Sequence, residues 1–146
     1  MKPFLLDTNV LIALTWPTHV HHHLCQRWFA RRKRAGFRTC PITETGFVRI
    51  CSNPAFSKNA VGPMEAVSLL RQITELPGHA FWPDDLTLMK ALAEVKNLSG
   101  HRQITDAYLL ALAHAYEGTL ATLDQSLLLL APQASRVEIP SEALLS

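Results

Sequence analysis

The amino-acid sequence predicts an α/β domain, a three-layer α/β/α sandwich whose central sheet is mainly parallel. Three observations support this fold class. Short apolar runs that suit buried strands alternate with helical segments, which is typical of parallel crossover connections. Residues 106–116 are apolar almost all round, which predicts a helix buried against the sheet. No linker, repeat or low-complexity segment is visible, so residues 1–146 are expected to form a single domain.

In the N-terminal half, turn residues separate the predicted elements. Pro17 stops the first helix, Gly36 ends the second, and Ser52-Asn53-Pro54 has the chemistry of a turn after the third. The elements predicted here are, in order, a strand at 3–6, helices at 8–15 and 19–35, a strand at 37–41 and a helix at 43–52.

The C-terminal half is divided in the same way. Pro63 suits the first position of a helix, Pro77-Gly78 breaks the chain, and Gly118 ends the apolar helix. The elements predicted here are a helix at 63–75, a strand at 79–82, helices at 85–95 and 106–116, a strand at 119–123 and an edge strand at 137–139.

Composition indicates a globular protein of a reducing compartment. The chain is 48% hydrophobic and 18% charged, which argues against disorder. Cys25, Cys40 and Cys51 are scattered, which is atypical of a disulfide framework or a zinc site. Asp7 interrupts the first apolar run too early for a signal peptide, and no run approaches the roughly 18 residues of a membrane span. We therefore expect a soluble cytoplasmic protein.

Four acidic residues stand at the edges of apolar segments. Asp7 and Asp124 directly follow predicted strands, and Glu44 and Asp106 open apolar helices. Carboxylates are rarely placed against apolar segments without a partner. In an open parallel sheet, functional groups gather at the C-terminal ends of the strands. We therefore expect these acids to converge on one pocket, where carboxylate oxygens would suit hard divalent cations.

Such a pocket would have a defined chemistry. Two divalent ions about 3.5–4 Å apart can clamp the attacking and leaving oxygens of a phosphodiester displacement. Short polar residues beside the acids are able to orient the carboxylates by hydrogen bonds. These residues are Thr8, Asn9, Thr105 and Thr122. An alternative stays open for Glu44 and Asp106, because acids at helix N termini are common as simple caps.

Four short motifs carry a resemblance to a known family. They are Asp7-Thr8-Asn9-Val10-Leu11-Ile12, Thr43-Glu44, Thr105-Asp106-Ala107-Tyr108-Leu109 and Thr122-Leu123-Asp124. In these motifs the sequence resembles PIN domains, and more narrowly VapC-type toxins of bacterial toxin–antitoxin pairs, over nearly its whole length. The narrower match is strengthened by Gly100-His101-Arg102-Gln103-Ile104, Gly46-Phe47-Val48-Arg49 and Ser52-Asn53-Pro54.

The resemblance implies an α/β/α fold and an endoribonuclease that depends on Mg²⁺ or Mn²⁺. It also implies inhibition by a cognate VapB-type antitoxin, and we expect a homodimer. Asp7, Glu44, Asp106 and Asp124 would be the catalytic and metal-binding acids. Many members carry a further acid two residues after the last, where this chain has Ser126. That departure would thin the shell of a second ion.

Two basic segments are candidates for contact with RNA or a partner. Arg27, Arg31, Arg32, Lys33, Arg34 and Arg38 fall within a dozen residues, which indicates either a phosphate-contacting surface or a solvated helix face. We expect Arg31, Arg32, Lys33 and Arg34 to contact RNA or the antitoxin. His101 and Arg102, just before Asp106, are placed either to touch a substrate phosphate or to form a structural turn.

The remaining polar clusters have weaker functional interpretations. His19, His21, His22 and His23 include a pair one helical turn apart, but no nearby Cys or acid completes a metal site. Two rival functions are weighed against the ribonuclease. One is phosphotransfer with Asp7 as nucleophile, which would favour an acid where Asn9 stands. The other is a non-catalytic PIN-like module that binds RNA or a partner.

Overall fold

The computed structural model describes residues 1–93, 95–133 and 136–146. Within these residues, one sheet has the strand order β3-β2-β1-β4-β5, and every neighbouring pair is parallel. The strands are β1 (Phe4–Leu6), β2 (Phe37–Thr39), β3 (His79–Phe81), β4 (Thr119–Ala121) and β5 (Val137–Glu138). The predicted α/β class with a parallel central sheet is confirmed.

Helices cover both faces of this sheet. They are α1 (Thr8–Thr15), α2 (His22–Arg32), α3 (Pro41–Cys51), α4 (Pro63–Thr74), α5 (Leu88–Leu92), α6 (Ile104–Ala115) and α7 (Leu127–Leu130). Short 3-10 helices occupy Lys33–Ala35, His101–Gln103 and Glu142–Leu145. Among the described residues, no helix is long and apolar enough to cross a membrane.

Alternation along β1 divides the core into two clusters. Successive side chains of a strand point to opposite faces. Leu6 packs into a cluster built from α1, α2, α3 and α4, whereas Leu5 packs into one built from α5, α6 and α7. Trp28 belongs to the first cluster and Trp82 to the second. The sheet is thus the middle of three layers.

Several boundaries differ from the prediction for local reasons. Helix α2 begins at His22, not at His19, because residues 16–21 form turns in which the His19 N–H donates to the Trp16 carbonyl at 3.0 Å. The predicted helix at 85–95 is only five residues long, with Thr87 as its N-cap. Its predicted C-terminal end includes Glu94, which lies outside the described residues. Helix α7 is a single turn that no periodicity could predict.

The connectivity fixes where a site can form. The chain runs from the central β1 outward to β2 and β3, then returns to β4 on the other side of β1. The order of strands therefore reverses between β1 and β4. In open parallel sheets, the crevice beyond the C-terminal ends of the strands at such a reversal is the usual binding place. Asp7 directly follows β1, and Asp124 lies three residues beyond β4.

Candidate metal centre

Asp7 lies at the centre of this crevice and is only 6% exposed. It caps helix α1 by accepting a hydrogen bond on Oδ1 from the Thr8 N–H at 2.7 Å. Its Oδ2 accepts from the Thr122 hydroxyl at 2.7 Å. Burial raises the pKa of Asp7, the two hydrogen bonds oppose that rise, and the charge of Asp124 adds to it. Asp7 is therefore a cap that also faces a second acid.

The Thr122 hydroxyl links the ends of β1 and β4, and it donates one hydrogen bond and accepts two. Its Oγ1 accepts from the Asn9 Nδ2 amide and from the Asp124 backbone N–H, both at 3.1 Å. A hydroxyl oxygen has two lone pairs and one proton, so that proton is committed to Asp7. Asn9 closes the network by accepting from the Leu123 N–H at 3.0 Å. The predicted orienting roles of Asn9 and Thr122 thus have a geometric basis.

Ser126 holds the last of the acids. The Asp124 Oδ1 accepts from the Ser126 hydroxyl at 2.7 Å and from its backbone N–H at 3.0 Å. Ser126 is therefore a neutral donor that orients Asp124 and adds no charge to the crevice.

Asp106 enters the crevice from the first turn of α6. Burial raises its pKa to about 6, and the charges of Asp7 and Asp124 contribute to the rise. The positive end of the helix dipole normally favours an ionised acid, so burial, together with repulsion from the two other aspartates, outweighs it here. Thr105, predicted to orient the acids, is exposed and makes no hydrogen bond to them among the described residues. Three aspartates thus form one electrostatic group.

Glu44 stands one strand away from this group, on the first turn of α3. Its Oε2 accepts from the Thr39 hydroxyl at 2.6 Å, and Thr39 also contacts Nε2 of His79 at 2.8 Å. Glu44 and His79 line a cavity of about 310 Å³ together with Val67, Leu70, Arg71 and Thr74. Glu44 is not among the charges that raise the pKa of Asp106.

Thr39 and His79 were missed from the sequence. Thr39 ends β2, so a polar residue at the C-terminal end of a parallel strand was a usable signal. His79 gave none, because a histidine in a short edge strand is ordinary. Burial lowers the pKa of His79, while the charge of Glu44 raises it.

A cavity of about 530 Å³ opens above the aspartates. Asp7 and Asp106 line it with Thr8 and Asn9, and the other wall is more apolar. That wall consists of Ile12, His19, Ile50, Asn53, Ala55 and Phe56. Two of the four acids, Asp7 and Asp106, therefore border this opening.

The carboxylates fit a hydrated divalent cation. In residues 1–93, 95–133 and 136–146, no three metal-ligating side chains converge tightly enough to form a ready-made ion site. The charges of Asp7 and Asp124 help to raise the pKa of Asp106, a repulsion that a bound cation would relieve. Mg²⁺ in particular keeps several waters and is bound through only one or two carboxylates. The donor set is therefore suitable for Mg²⁺ or Mn²⁺.

Gly46 allows α3 to approach the start of α1. A Cβ at this position would lie 2.8 Å from Oγ1 and 3.3 Å from Cγ2 of Thr8. The Thr8 hydroxyl also donates to the Thr43 carbonyl at 3.4 Å. The two helix starts that carry Asp7 and Glu44 are therefore in direct contact.

We expect Gly46→Ala to destabilise the fold by about 1–3 kcal/mol, because overpacking a tight contact costs that much. Urea unfolding would measure the change. Gly100→Ala is the matched control, since a Cβ there meets nothing within 4 Å. Equal unfolding midpoints for the two variants would show that the helix contact is loose.

The basic residues 31–34 lie near the N-terminal ends of the strands, whereas the aspartates lie at the C-terminal ends. Gly36, which follows these basic residues, accepts through its carbonyl from the Phe4 N–H at 3.0 Å, at the N-terminal ends of β1 and β2. Three strand residues span about 10 Å. Arg31, Lys33 and Arg34 are exposed there.

Arg32 differs from its neighbours and belongs to the fold. Its Nε and one terminal nitrogen donate to the two Glu138 carboxylate oxygens at 2.9 and 3.2 Å. The Trp28 indole N–H donates to the same carboxylate at 2.8 Å. This pair ties α2 to β5 and occupies the guanidinium group of Arg32, which counts against the predicted contact of Arg32 with RNA or a partner.

Arg32→Gln should destabilise the protein by about 1–2 kcal/mol, because it leaves a partly buried carboxylate with an unpaired charge. Arg31→Gln, one residue away and exposed, should change stability by less than about 0.5 kcal/mol. Guanidinium unfolding of both variants would test the assignment. A larger loss in Arg31→Gln than in Arg32→Gln would contradict it.

The histidines and the second basic segment are placed differently. His101 and Arg102 are exposed in the 3-10 helix that leads into α6, near the crevice. His22 is engaged through Nδ1 with the Ala13 carbonyl at 2.7 Å. The Nδ1 of His19 accepts from the His21 N–H at 3.0 Å, so His19 serves the turn and also lines the cavity.

The chain is similar in sequence to the proteins of one family. A family profile described as PIN domain matches residues 4–131. Ribonuclease VapC39 of Mycobacterium tuberculosis is 48% identical over 124 residues, which cover 84% of this chain and 89% of the relative. Ribonuclease VapC38 of the same organism is 40% identical over 135 residues, which cover 92% and 94%.

A solved structure shares the fold. It is the crystal structure of VapBC2 from Rickettsia felis bound to a DNA fragment from their promoter. It aligns with a TM-score of 0.64 over 93% of this chain and 97% of that chain, at 13% identity. From the profile match and the two close relatives, we conclude that the chain belongs to the PIN-domain family, among proteins of the VapC type.

Proposed function

We propose that this protein is a divalent-metal-dependent endoribonuclease that acts as the toxin of a toxin–antitoxin pair. The observation that carries the proposal is the group of Asp7, Asp106 and Asp124 at the strand reversal, with the pKa of Asp106 raised to about 6. Relatives named ribonuclease VapC support the activity. The substrate we propose is RNA, in particular structured RNA such as tRNA or rRNA.

The three aspartates would hold Mg²⁺ or Mn²⁺, with Glu44 as a fourth acid. When bound, such an ion activates water and stabilises the charge of a leaving oxygen. The residues of the chain have the task of orientation. Thr8 and Thr122 hold the two oxygens of Asp7, and Ser126 holds one oxygen of Asp124. With Ser126 in place of an acid, we expect one strong ion and a weak second one.

RNA would enter through the open cavity above the acids. His101 and Arg102 lie on its side of the sheet and are exposed, so they are the first candidates for phosphate contact. Arg31, Lys33 and Arg34 lie at the far edge and would contact only a large RNA or a partner protein. Phosphate contacts release counterions, so binding through either set should weaken with salt.

The decisive test is cleavage of a panel of labelled RNAs by the purified protein. We expect cleavage with Mg²⁺ or Mn²⁺, none with excess EDTA, and recovery when the metal is returned in excess. Binding without cleavage under all these conditions would instead indicate a non-catalytic RNA-binding module. Preparations of Asp106→Asn made in parallel control for a contaminating nuclease.

We further propose a VapB-type antitoxin as inhibitor and a homodimer as the working unit. The cavity combines acids with the apolar side chains of Ile12, Ile50 and Phe56, so it suits a segment that carries both a cation and apolar residues. The solved VapBC2 complex supports a partner of this kind. Co-expression with the adjacent gene followed by light scattering would test both points. A monomer with no captured partner would contradict them.

A further inference from the structure

Thr39 connects a candidate metal-site acid to a histidine on another strand. It ends β2 and is fully buried. Its single hydroxyl contacts Glu44 Oε2 at 2.6 Å and His79 Nε2 at 2.8 Å. The three residues lie on α3, β2 and β3, so the contact spans three elements.

Only one assignment of donors and acceptors satisfies both of these hydrogen bonds. A carboxylate accepts hydrogen bonds and has none to give. The Thr39 proton is therefore donated to Glu44. Thr39 then has only lone pairs for His79, so the Nε2 of His79 must carry the hydrogen and donate it to the Thr39 oxygen. This His79–Thr39–Glu44 relay of two hydrogen bonds fixes both the tautomer of His79 and the direction of the Glu44 carboxylate.

Both outer residues of the relay, His79 and Glu44, are held by their surroundings. His79 is paired with Phe37 in the parallel ladder between β2 and β3, and the two rings lie 5.3 Å apart. Glu44 lies on the first turn of α3, whose start contacts α1 through the Thr8 hydroxyl and Gly46. A carboxylate held from one side by a buried donor loses the freedom to turn into solvent.

We propose that His79, acting through Thr39, is a positioning residue that holds the carboxylate of Glu44, the fourth acid of the proposed metal centre, in one fixed orientation. This inference rests on the proposed metal-dependent ribonuclease function and names two residues beyond the four acids. Partners that orient metal ligands typically contribute about 10- to 100-fold to metal affinity or activity. We expect an effect of that size on kcat or on Mn²⁺ affinity, with little change in KM for RNA.

Isosteric substitutions test the role of Thr39. Thr39→Val keeps the shape and the strand preference but removes the hydroxyl, whereas Thr39→Ser keeps the hydroxyl. We expect Thr39→Val to lose about 10- to 100-fold in kcat or Mn²⁺ affinity, and Thr39→Ser to retain most of both. Thr45→Val is the control, because Thr45 is exposed on α3 beside Glu44. It should behave like the wild type.

A second pair of variants tests His79. His79→Gln can still donate a hydrogen from its amide at about the position of Nε2, whereas His79→Leu cannot. Recovery of activity in His79→Gln relative to His79→Leu is expected, and a merely structural role for the ring would not produce it. Equal kcat in both, with both folded, would overturn the inference.

Nuclear magnetic resonance gives a readout without activity. The imidazole ¹⁵N shifts of His79 in the metal-free protein should report the Nε2–H tautomer, and Thr39→Val should abolish that preference. An Nδ1–H tautomer in the wild type would overturn the relay. If the wild type cleaves no RNA with either metal, the proposed function falls, and the Mn²⁺ affinities of Thr39→Val and Thr39→Ser still decide the positioning role.

Discussion

Asp7→Asn and Asp106→Asn should each lower the rate of metal-dependent RNA cleavage by about a thousandfold. A bound cation contributes several kcal/mol of charge stabilisation in the transition state, and each 1.4 kcal/mol or so is a factor of ten. The amide keeps the shape of the carboxylate and loses the charge that holds the cation. The measurement is the single-turnover rate at saturating Mg²⁺.

Asp106→Asn is the cleaner of the two variants. At position 7, the new amide nitrogen would face the Thr122 oxygen, whose lone pairs are already used by Asn9 and by the Asp124 N–H. Asp7→Asn therefore combines loss of charge with a broken hydrogen-bond network. Circular dichroism should check that both variants fold.

Asp84→Asn is the matched control, because Asp84 is exposed and is not among the charges that raise the pKa of Asp7 or Asp106. It should cleave RNA at the wild-type rate. Full activity of the Asp7→Asn, Asp106→Asn double variant, or of the wild type in excess EDTA, would refute the metal-centre hypothesis.

The sequence was sufficient to predict the aspartate group because its geometry follows from topology. Asp7 and Asp124 each follow a strand, and parallel strands bring their C-terminal ends to one edge. Asp106 lies at the same end because α6, which begins there, leads back to the start of β4. None of this requires knowledge of a side-chain rotamer.

The hydrogen-bond partners of Glu44 and Arg32 could not be predicted from the sequence, because they depend on packing and not on topology. Glu44 opens a helix like Asp106, but its partner Thr39 is chosen by how α3 packs on β2. Arg32 pairs with Glu138, 106 residues away, while Arg31 faces solvent. Such choices depend on helix rotation and strand register, which a run of charges does not encode.

Removing the charge of Asp106 should stabilise the metal-free protein near neutral pH. The pKa of Asp106 is raised from the ordinary 3.8 to about 6. The folded state therefore binds more protons than the unfolded state between these values. Stability from this group is complete below about pH 4, is lost as the pH rises toward 6, and stays lost above it.

The size of the effect follows from the same difference. At about 1.4 kcal/mol for each tenfold change in proton affinity, a pKa of 6 instead of 3.8 corresponds to roughly 3 kcal/mol. Partial solvent exposure of Asp106 reduces this to about 1–2 kcal/mol. Asp106→Asn should thus match the wild type near pH 4 and exceed its stability by about 1–2 kcal/mol at pH 7, in EDTA.

Bound metal should make the wild type more stable than Asp106→Asn at pH 7. A cation that binds only the folded protein adds about 2.7 kcal/mol at a hundredfold excess over its Kd. The wild type should gain this stabilisation from Mg²⁺ or Mn²⁺ at pH 7, whereas Asp106→Asn, with a weakened site, should gain much less. Thermal unfolding of both proteins at pH 4 and 7, with EDTA or with metal, measures all the terms together. A metal-induced rise in melting temperature that is the same in both proteins would mean that Asp106 is not part of the cation site.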